Sequence, residues 1–360
     1  RIPPNLEYYG CGALQLLFYL LFGIFTLWVL TKGAMWTYAA IDNIAELYAR
    51  IFVFLVASFV GFSALPIAAK WLLVGRWKQE VLPIWSLRYF RFWVVKMLIR
   101  SAPAAAFVGS PIYNVYLRLL GARVGRNVVI ESRIIPVCTD LISFGDNAVI
   151  RKEAVLTGYK AQSNRIHTGT VRIGDGAYVG VASVLDIDTV MEDATQLGHA
   201  SSLQSGQRAF EGKRYHGSPA EETQANFCGI DPKDCTPGRR TLYSAVQLTG
   251  VFAIYMPLFV MTLYYLYSQL VGQLNDIEFN LGAPGAGLVS LTIPVLLASA
   301  VLFFGALLVG LLIIGLVPRL LMLFLARDKT YVLYGVHYAI YRAIVLLSNS
   351  PAYNLLFGDS

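Results

Sequence analysis

Charge is scarce in this chain of 360 residues: 14% are charged against 56% hydrophobic, a balance that excludes an ordinary soluble domain and makes the chain a membrane protein first. Cysteine is scarcer still. Cys11, Cys138, Cys228 and Cys235 are too few and too scattered for a disulfide framework, so free thiols are expected. The last two fall in "CGIDPKDC", a spacing that matches no standard zinc knuckle. The chain contains no P-loop, no dinucleotide fingerprint and no G-x-S-x-G elbow, so ATP use and serine-hydrolase chemistry are not encoded in it. It opens on Arg1 without an initiator Met or the order of a signal peptide, and is expected to continue a longer polypeptide. The net charge of +7 is unevenly placed and reads as a topology signal rather than a nucleic-acid footprint.

Four long uncharged runs stand against these absences. They cover residues 11–30, residues 51–69 (continuing past Pro66 towards Gly75), residues 243–271, and the stretch between Glu278 and Arg319. Each is long enough to cross a bilayer core of about 30 Å. After the second run come Arg76, Lys78, Arg88, Arg91, Lys96 and Arg100 against the single acid Glu80, whereas the link between the third and fourth holds Asp276 and Glu278 and no cation. The positive-inside rule then places the basic side, and everything from Arg76 to Thr241, in the cytoplasm of a multi-pass protein of the plasma (inner) membrane.

The membrane pattern occurs twice. "WSLRYFRFWVVKML" followed by "SPIYN" in residues 85–114 is echoed by "YGVHYAIYRAIVLL" followed by "SPAYN" in residues 334–354. Each copy reads as two spans, an amphipathic aromatic-basic helix, then SPxYN. Aromatic and basic residues also gather at any membrane interface, but here the order of elements repeats as well.

Between the copies lies a six-residue ladder. Ile173, Val179, Leu185, Met191, Leu197 and Leu203 form one series and Ala177, Ser183, Thr189, Thr195 and Ser201 another. One bulky aliphatic and one small residue per six is what a triangular solenoid needs, the first filling the interior and the second the tight corner. Val124, Ile130, Phe144, Ile150 and Leu156 obey the same rule, with interruptions at residues 134–143 and 157–172 expected to loop out of the prism.

This ladder resembles the hexapeptide-repeat, left-handed parallel β-helix of acyltransferases, and "GKRYHGSPAEET" resembles the G-x-P-A exit from their last coil. A wider resemblance, carried by "SPIYNVYLRLLGARVGRNV", "LGHASSLQSGQ" and "RYHGSPAEET", is to the C-terminal membrane region of Pls/PosA-type non-ribosomal peptide synthetases, the poly-ε-lysine synthetase group. It implies adenylation and carrier domains upstream in the same polypeptide, ATP used there, and a phosphopantetheine thioester supplied by the carrier, with no cofactor bound by this segment. The expected architecture is an α-helical membrane protein of about four spans plus a β-helix domain. It comprises a first hairpin (1–83), interfacial helices (84–120), the β-helix (121–223), a linker (224–242), a second hairpin (243–330), and an interfacial region (331–360) leading to a second β-helix domain beyond residue 360. Membrane lipid is a further expected partner, a homo-oligomer is compatible, and nucleic acid is not invoked.

His199, in the third place of the hexad 197–202, is the first catalytic candidate: coil-edge histidines act as general base in the resembled acyltransferases, and imidazole titrates near neutrality. His216 lies about one coil on and could stack on the same side. Each could equally be a surface or capping residue. Asp186 and Asp188, alternate residues of one hexad, would point the same way and hold an amine or orient a histidine, or simply be solvated. Ser202 and Gln204 after His199, and Ser218 at the exit, complete the candidate substrate-binding surface. His167 reads as a loop residue and His337 as structural. Three functions compete: amide-bond formation from carrier-bound aminoacyl thioesters to make a poly-amino acid such as poly-lysine, a membrane O-acyltransferase acting on a glycan or lipid, and a scaffold or export passage for a polymer.

Overall fold

The computed structural model describes residues 5–228, 235–281, 288–326 and 329–348. Its backbone forms two compact units, Arg1–Thr37 with Val53–Pro232 and Tyr38–Phe52 with Lys233–Ser360.

Helices α1 (Asn5–Tyr38) and α2 (Ile44–Leu73), which belong to the first unit apart from Tyr38 and Ile44–Phe52, carry the first two apolar runs. They approach closely at Gly33, where a Cβ would run into the Phe54 ring. Fully buried Lys70, in the last turn of α2, pairs with Asp140 Oδ2 at 2.8 Å. Asp140 also accepts the Trp77 N–H at 3.1 Å, so the end of the span is tied to the base of the solenoid. Helix α3 (Leu87–Arg100) starts where Ser86 Oγ accepts the Tyr89 N–H. It buries Phe92, Val94, Val95, Leu98 and Ile99 and exposes Arg88, Arg91 and Arg100, the amphipathic interfacial helix read from its pattern. Helix α4 (Pro111–Leu119) follows, and its Asn114 Nδ2 donates to the Val128 carbonyl at 2.7 Å, joining SPIYN to the first coil.

The ladder folds as expected, into a parallel β-solenoid of about five turns. Successive coils pair 18 residues apart: Gln196 opposite Tyr178 and Arg214, Val190 opposite Arg208, Val184 opposite Ser202. Three ladders of strands form three faces. Both series from Ile173 onwards point inward, each member at most 3% exposed. An aliphatic side chain so buried contributes about 1.5–3 kcal/mol, which makes the repeated hexad the main source of the solenoid's stability.

The two interruptions differ. Residues 134–141 stay packed, with Ile135, Val137 and Cys138 buried, and so do not leave the prism. The second leaves it as the hairpin Tyr159–Gln162 and Arg165–Thr168, which pairs antiparallel with Val81–Pro83. His167 therefore stands in a strand, opposite Val81 and Lys160, rather than in a loop.

The second unit holds α5 (Pro237–Thr249), a π-helical segment (Gly250–Tyr255), α6 (Met256–Leu281), α7 (Leu288–Met322) and α8 (Val336–Ser348). With α1 and α2 this makes, among the described residues, four helical stretches long and apolar enough to span a membrane. The sequence repeat has a backbone counterpart. Trp85 and Tyr334, equivalent positions just before α3 and α8, both take left-handed φ, 71° and 59°, an unusual state for an aromatic residue. Trp85 lies against Tyr8 and Tyr89 (4.6 and 5.8 Å between ring centroids) as Tyr334 lies against Tyr243 and Tyr338 (5.2 and 5.3 Å). The second SPAYN lies outside the described residues.

Candidate functional site

The strand Gln196–Leu197 is flanked in register by Tyr178–Val179 and Arg214–Tyr215. One residue further on, the same column of five coils reads Glu131, Arg151, Gly180, Gly198 and His216. Glu131 is buried and pairs with Arg151 at 2.9 Å. His216 lies directly over Gly198, where a Cβ would come within 2.5 Å of its Nδ1. His199, the next residue along, turns the corner.

What His199 does there follows from its neighbours around the prism. Asp146, Asp175, Asp188 and Asp193 each use Oδ1 to accept a backbone N–H of the coil below, from Arg126 (2.7 Å), Asp146 (2.6 Å), Thr170 (3.0 Å) and Asp175 (2.8 Å). His199 Nδ1 accepts the Val181 N–H at 3.0 Å in the same way. It is a corner staple by hydrogen bonding, even though its ring is exposed.

His216 is held differently. Its Nδ1 is 3.0 Å from Oγ of buried Ser201, which also donates to the His199 carbonyl at 3.0 Å and accepts the Gly217 N–H at 3.1 Å. The Phe227 ring packs against both imidazoles, 5.5 Å from His216 and 6.1 Å from His199. It is anchored by its own N–H to Gln196 Oε1 at 2.9 Å. Tyr178 lies edge-on to His199 at 6.3 Å. Burial pushes the Tyr178 phenol up, and likewise the Cys228 thiol, which keeps Cys228 protonated and a poor nucleophile.

Beside the histidines the hydroxyls of Ser202 and Ser218 bond at 2.6 Å, and Gln204 Nε2 donates to Ser202 Oγ at 3.2 Å. His199, His216, Ser202, Gln204 and Ser218 thus gather on the last coils. The two aspartates do not share a direction. Asp186, one coil from Gln204, is bonded to Lys160 Nζ at 2.7 Å and to the Ile187 N–H at 2.8 Å. Asp188 stands past a corner at φ 60°, bonded to Gln79 Nε2 at 2.7 Å and the Thr170 N–H. The left-handed residue breaks the strand alternation on which a common face depends.

Sequence reasoning missed Phe227 and Gln196 and reduced Ser201 to packing. Phe227 sits in the exit linker, where no periodicity marks it, and two of the three contacts of the Ser201 hydroxyl, to His216 and Gly217, come from a segment about one coil away. Chemically, an exposed imidazole beside hydroxyl and amide donors on a rigid sheet can take a proton from an attacking nucleophile while neighbouring donors hold the acyl group.

No family model matches the chain. In sequence it is 29% identical over 140 residues to the delta-poly-L-ornithine synthetase of Acinetobacter baumannii (strain AB307-0294), a match covering 39% of this chain. The matched stretch spans about a tenth of that protein's length (10%). Among solved structures, the chain is similar to a galactoside acetyltransferase in complex with coenzyme A (13% identity, 37% of this chain and 85% of that one, TM-score 0.30). It is also similar to the soybean serine acetyltransferase apoenzyme (15% identity, 51% and 58%, TM-score 0.24). Among the described residues, four long apolar helices and a β-solenoid with a six-residue repeat, together with the similarity to a poly-amino-acid synthetase, fit a Pls-like membrane protein.

Proposed function

We propose that this chain is the membrane module of a poly-amino-acid synthetase, and that the last coils of its solenoid form amide bonds from aminoacyl thioesters presented by a carrier domain of the same polypeptide. The observation that carries the reading is the sequence similarity to delta-poly-L-ornithine synthetase. The clustering of His199, His216, Ser202, Gln204 and Ser218 on one end of the prism supports it. In the reaction an amine nitrogen attacks the thioester carbonyl, the C–N bond forms, the C–S bond breaks, and the thiol leaves with one proton. A histidine removes the proton that the nitrogen sheds, worth about 10²–10⁴ in rate. Hydroxyl and amide donors of Ser202, Ser218 and Gln204 orient the acyl group. The basic segment from Arg76 to Arg100 argues for a cytoplasmic solenoid and for attraction of an acidic carrier domain or anionic lipid.

The test supplies the purified full chain with an aminoacyl-pantetheine thioester, a free amino acid and a glycan or lipid hydroxyl acceptor and looks for amide product by mass spectrometry. Amide formation lost in the His199→Ala, His216→Ala double variant is the expected result. An ester on a hydroxyl acceptor instead of an amide would favour the glycan or lipid O-acyltransferase. Unchanged amide formation in the double variant would take the chemistry away from these coils.

A further inference from the structure

The two histidines are wired to opposite tautomers, and one buried hydroxyl sets the difference. A neutral imidazole has one N–H and one bare nitrogen, and whichever nitrogen is fixed by a hydrogen bond decides the role of the other. His199 Nδ1 accepts the Val181 N–H at 3.0 Å, so its hydrogen is on Nε2. An exposed Nε2–H donates; it cannot abstract a proton. His216 depends on Ser201 Oγ, which has one hydrogen and three neighbours. The Gly217 N–H at 3.1 Å can only donate to it, and the His199 carbonyl at 3.0 Å can only accept from it. Those two contacts commit the hydroxyl hydrogen to the carbonyl, and the remaining lone pair faces His216 Nδ1 at 3.0 Å. Nδ1 then carries the hydrogen, and Nε2 of the exposed ring is left bare.

We infer that Ser201 is a positioning residue that holds His216 as the Nδ1–H tautomer and so makes it the general base, while His199 is a corner staple and hydrogen-bond donor. The inference rests on the acyl-transfer reading only for the word base; the tautomers stand on geometry alone. Ser201 itself is 1% exposed and therefore no nucleophile. Its position tolerates substitution: equivalent corners hold Ala177, Thr189 and Thr195, all buried, so alanine and threonine both fit the prism.

The test is nitrogen NMR of the full chain in detergent micelles, labelled only at its four histidines, assigned with His199→Gln and His216→Gln, and recorded on the neutral rings at alkaline pH. The expected spectrum has Nε2 bare in His216 and Nδ1 bare in His199. Ser201→Ala should release His216 to a tautomer mixture and lower the amide-forming rate about tenfold, less than the ~10²–10⁴-fold loss from removing a base. Ser201→Thr should restore both. A wild-type His216 carrying its hydrogen on Nε2, or a tautomer unmoved by Ser201→Ala, would overturn the inference. A His216→Gln variant that still forms amide at the full rate would overturn His216 as the base, whereas correct tautomers in a chain that forms no amide at all would sink the acyl-transfer reading and leave the wiring standing.

Discussion

At Gly180 and Gly198, neighbouring coils approach so closely that a side chain has no place, but the two crowd different things. A Cβ at Gly180 would meet the Gly198 backbone, its C and O atoms both at 2.5 Å, whereas one at Gly198 would meet the ends of two side chains, His216 Nδ1 at 2.5 Å and Phe227 Cζ at 2.7 Å. Rings swing aside more readily than a coil opens. Gly180→Ala is therefore expected to destabilise the fold, by about 1–3 kcal/mol in the manner of overpacking, read as a fall in Tm. Gly198→Ala should leave Tm nearly unchanged while it displaces His216 and removes amide-forming activity. Equal losses of Tm in the two variants would mean that His216 and Phe227 are part of the core and not a movable surface. The inward ladder was legible at this scale because burial recurs every sixth residue. The Ser201 wiring was not, since which way a hydroxyl hydrogen points depends on partners brought together only by coiling.

For the solenoid as an element, the corner carboxylates tie coil to coil, and the ties are ionic in character. The Arg126 N–H and then its guanidinium hold the Asp146 carboxyl below the usual carboxylate range; the Glu211 N–H, then Arg208, do the same for Glu192. A carboxyl depressed in the folded state stabilises it above the unfolded pKa of about 4, and that contribution is lost as pH falls through the folded value. Tm should thus fall as the medium is acidified below about pH 4. An Asp146→Asn, Glu192→Gln variant, less stable near neutrality, should show a shallower fall; a parallel fall would assign acid sensitivity to other groups. The hexad foretold coils, faces and core. It could not foretell the hairpin at residues 159–168, because its partner strand, Val81–Pro83, lies far back in the chain and carries no hexad. Nor could it place Asp188, whose corner conformation interrupts the alternation that made the two aspartates look like a pair.

For the whole molecule the open prediction is sidedness. Exposed Ser205, in a turn of the last coils, replaced by cysteine in a chain whose four native cysteines are serine, is expected to resist a membrane-impermeant maleimide in intact cells and to react once the cells are opened. Labelling of intact cells would put the solenoid outside and reverse the topology read from the basic residues. The spans were plain in the sequence, since long uncharged runs have few other uses. The repeat was legible as a word pattern, and its mechanical meaning came only with Trp85 and Tyr334. Each is an aromatic wedge in a left-handed backbone, seated between a long membrane helix and the fourth residue beyond itself. Two such joints give the two copies of the pattern the same left-handed entry into the helix that follows. They also mark a natural crossover for recombination, where a chimera cut just before each wedge would keep the helix that follows in its native setting.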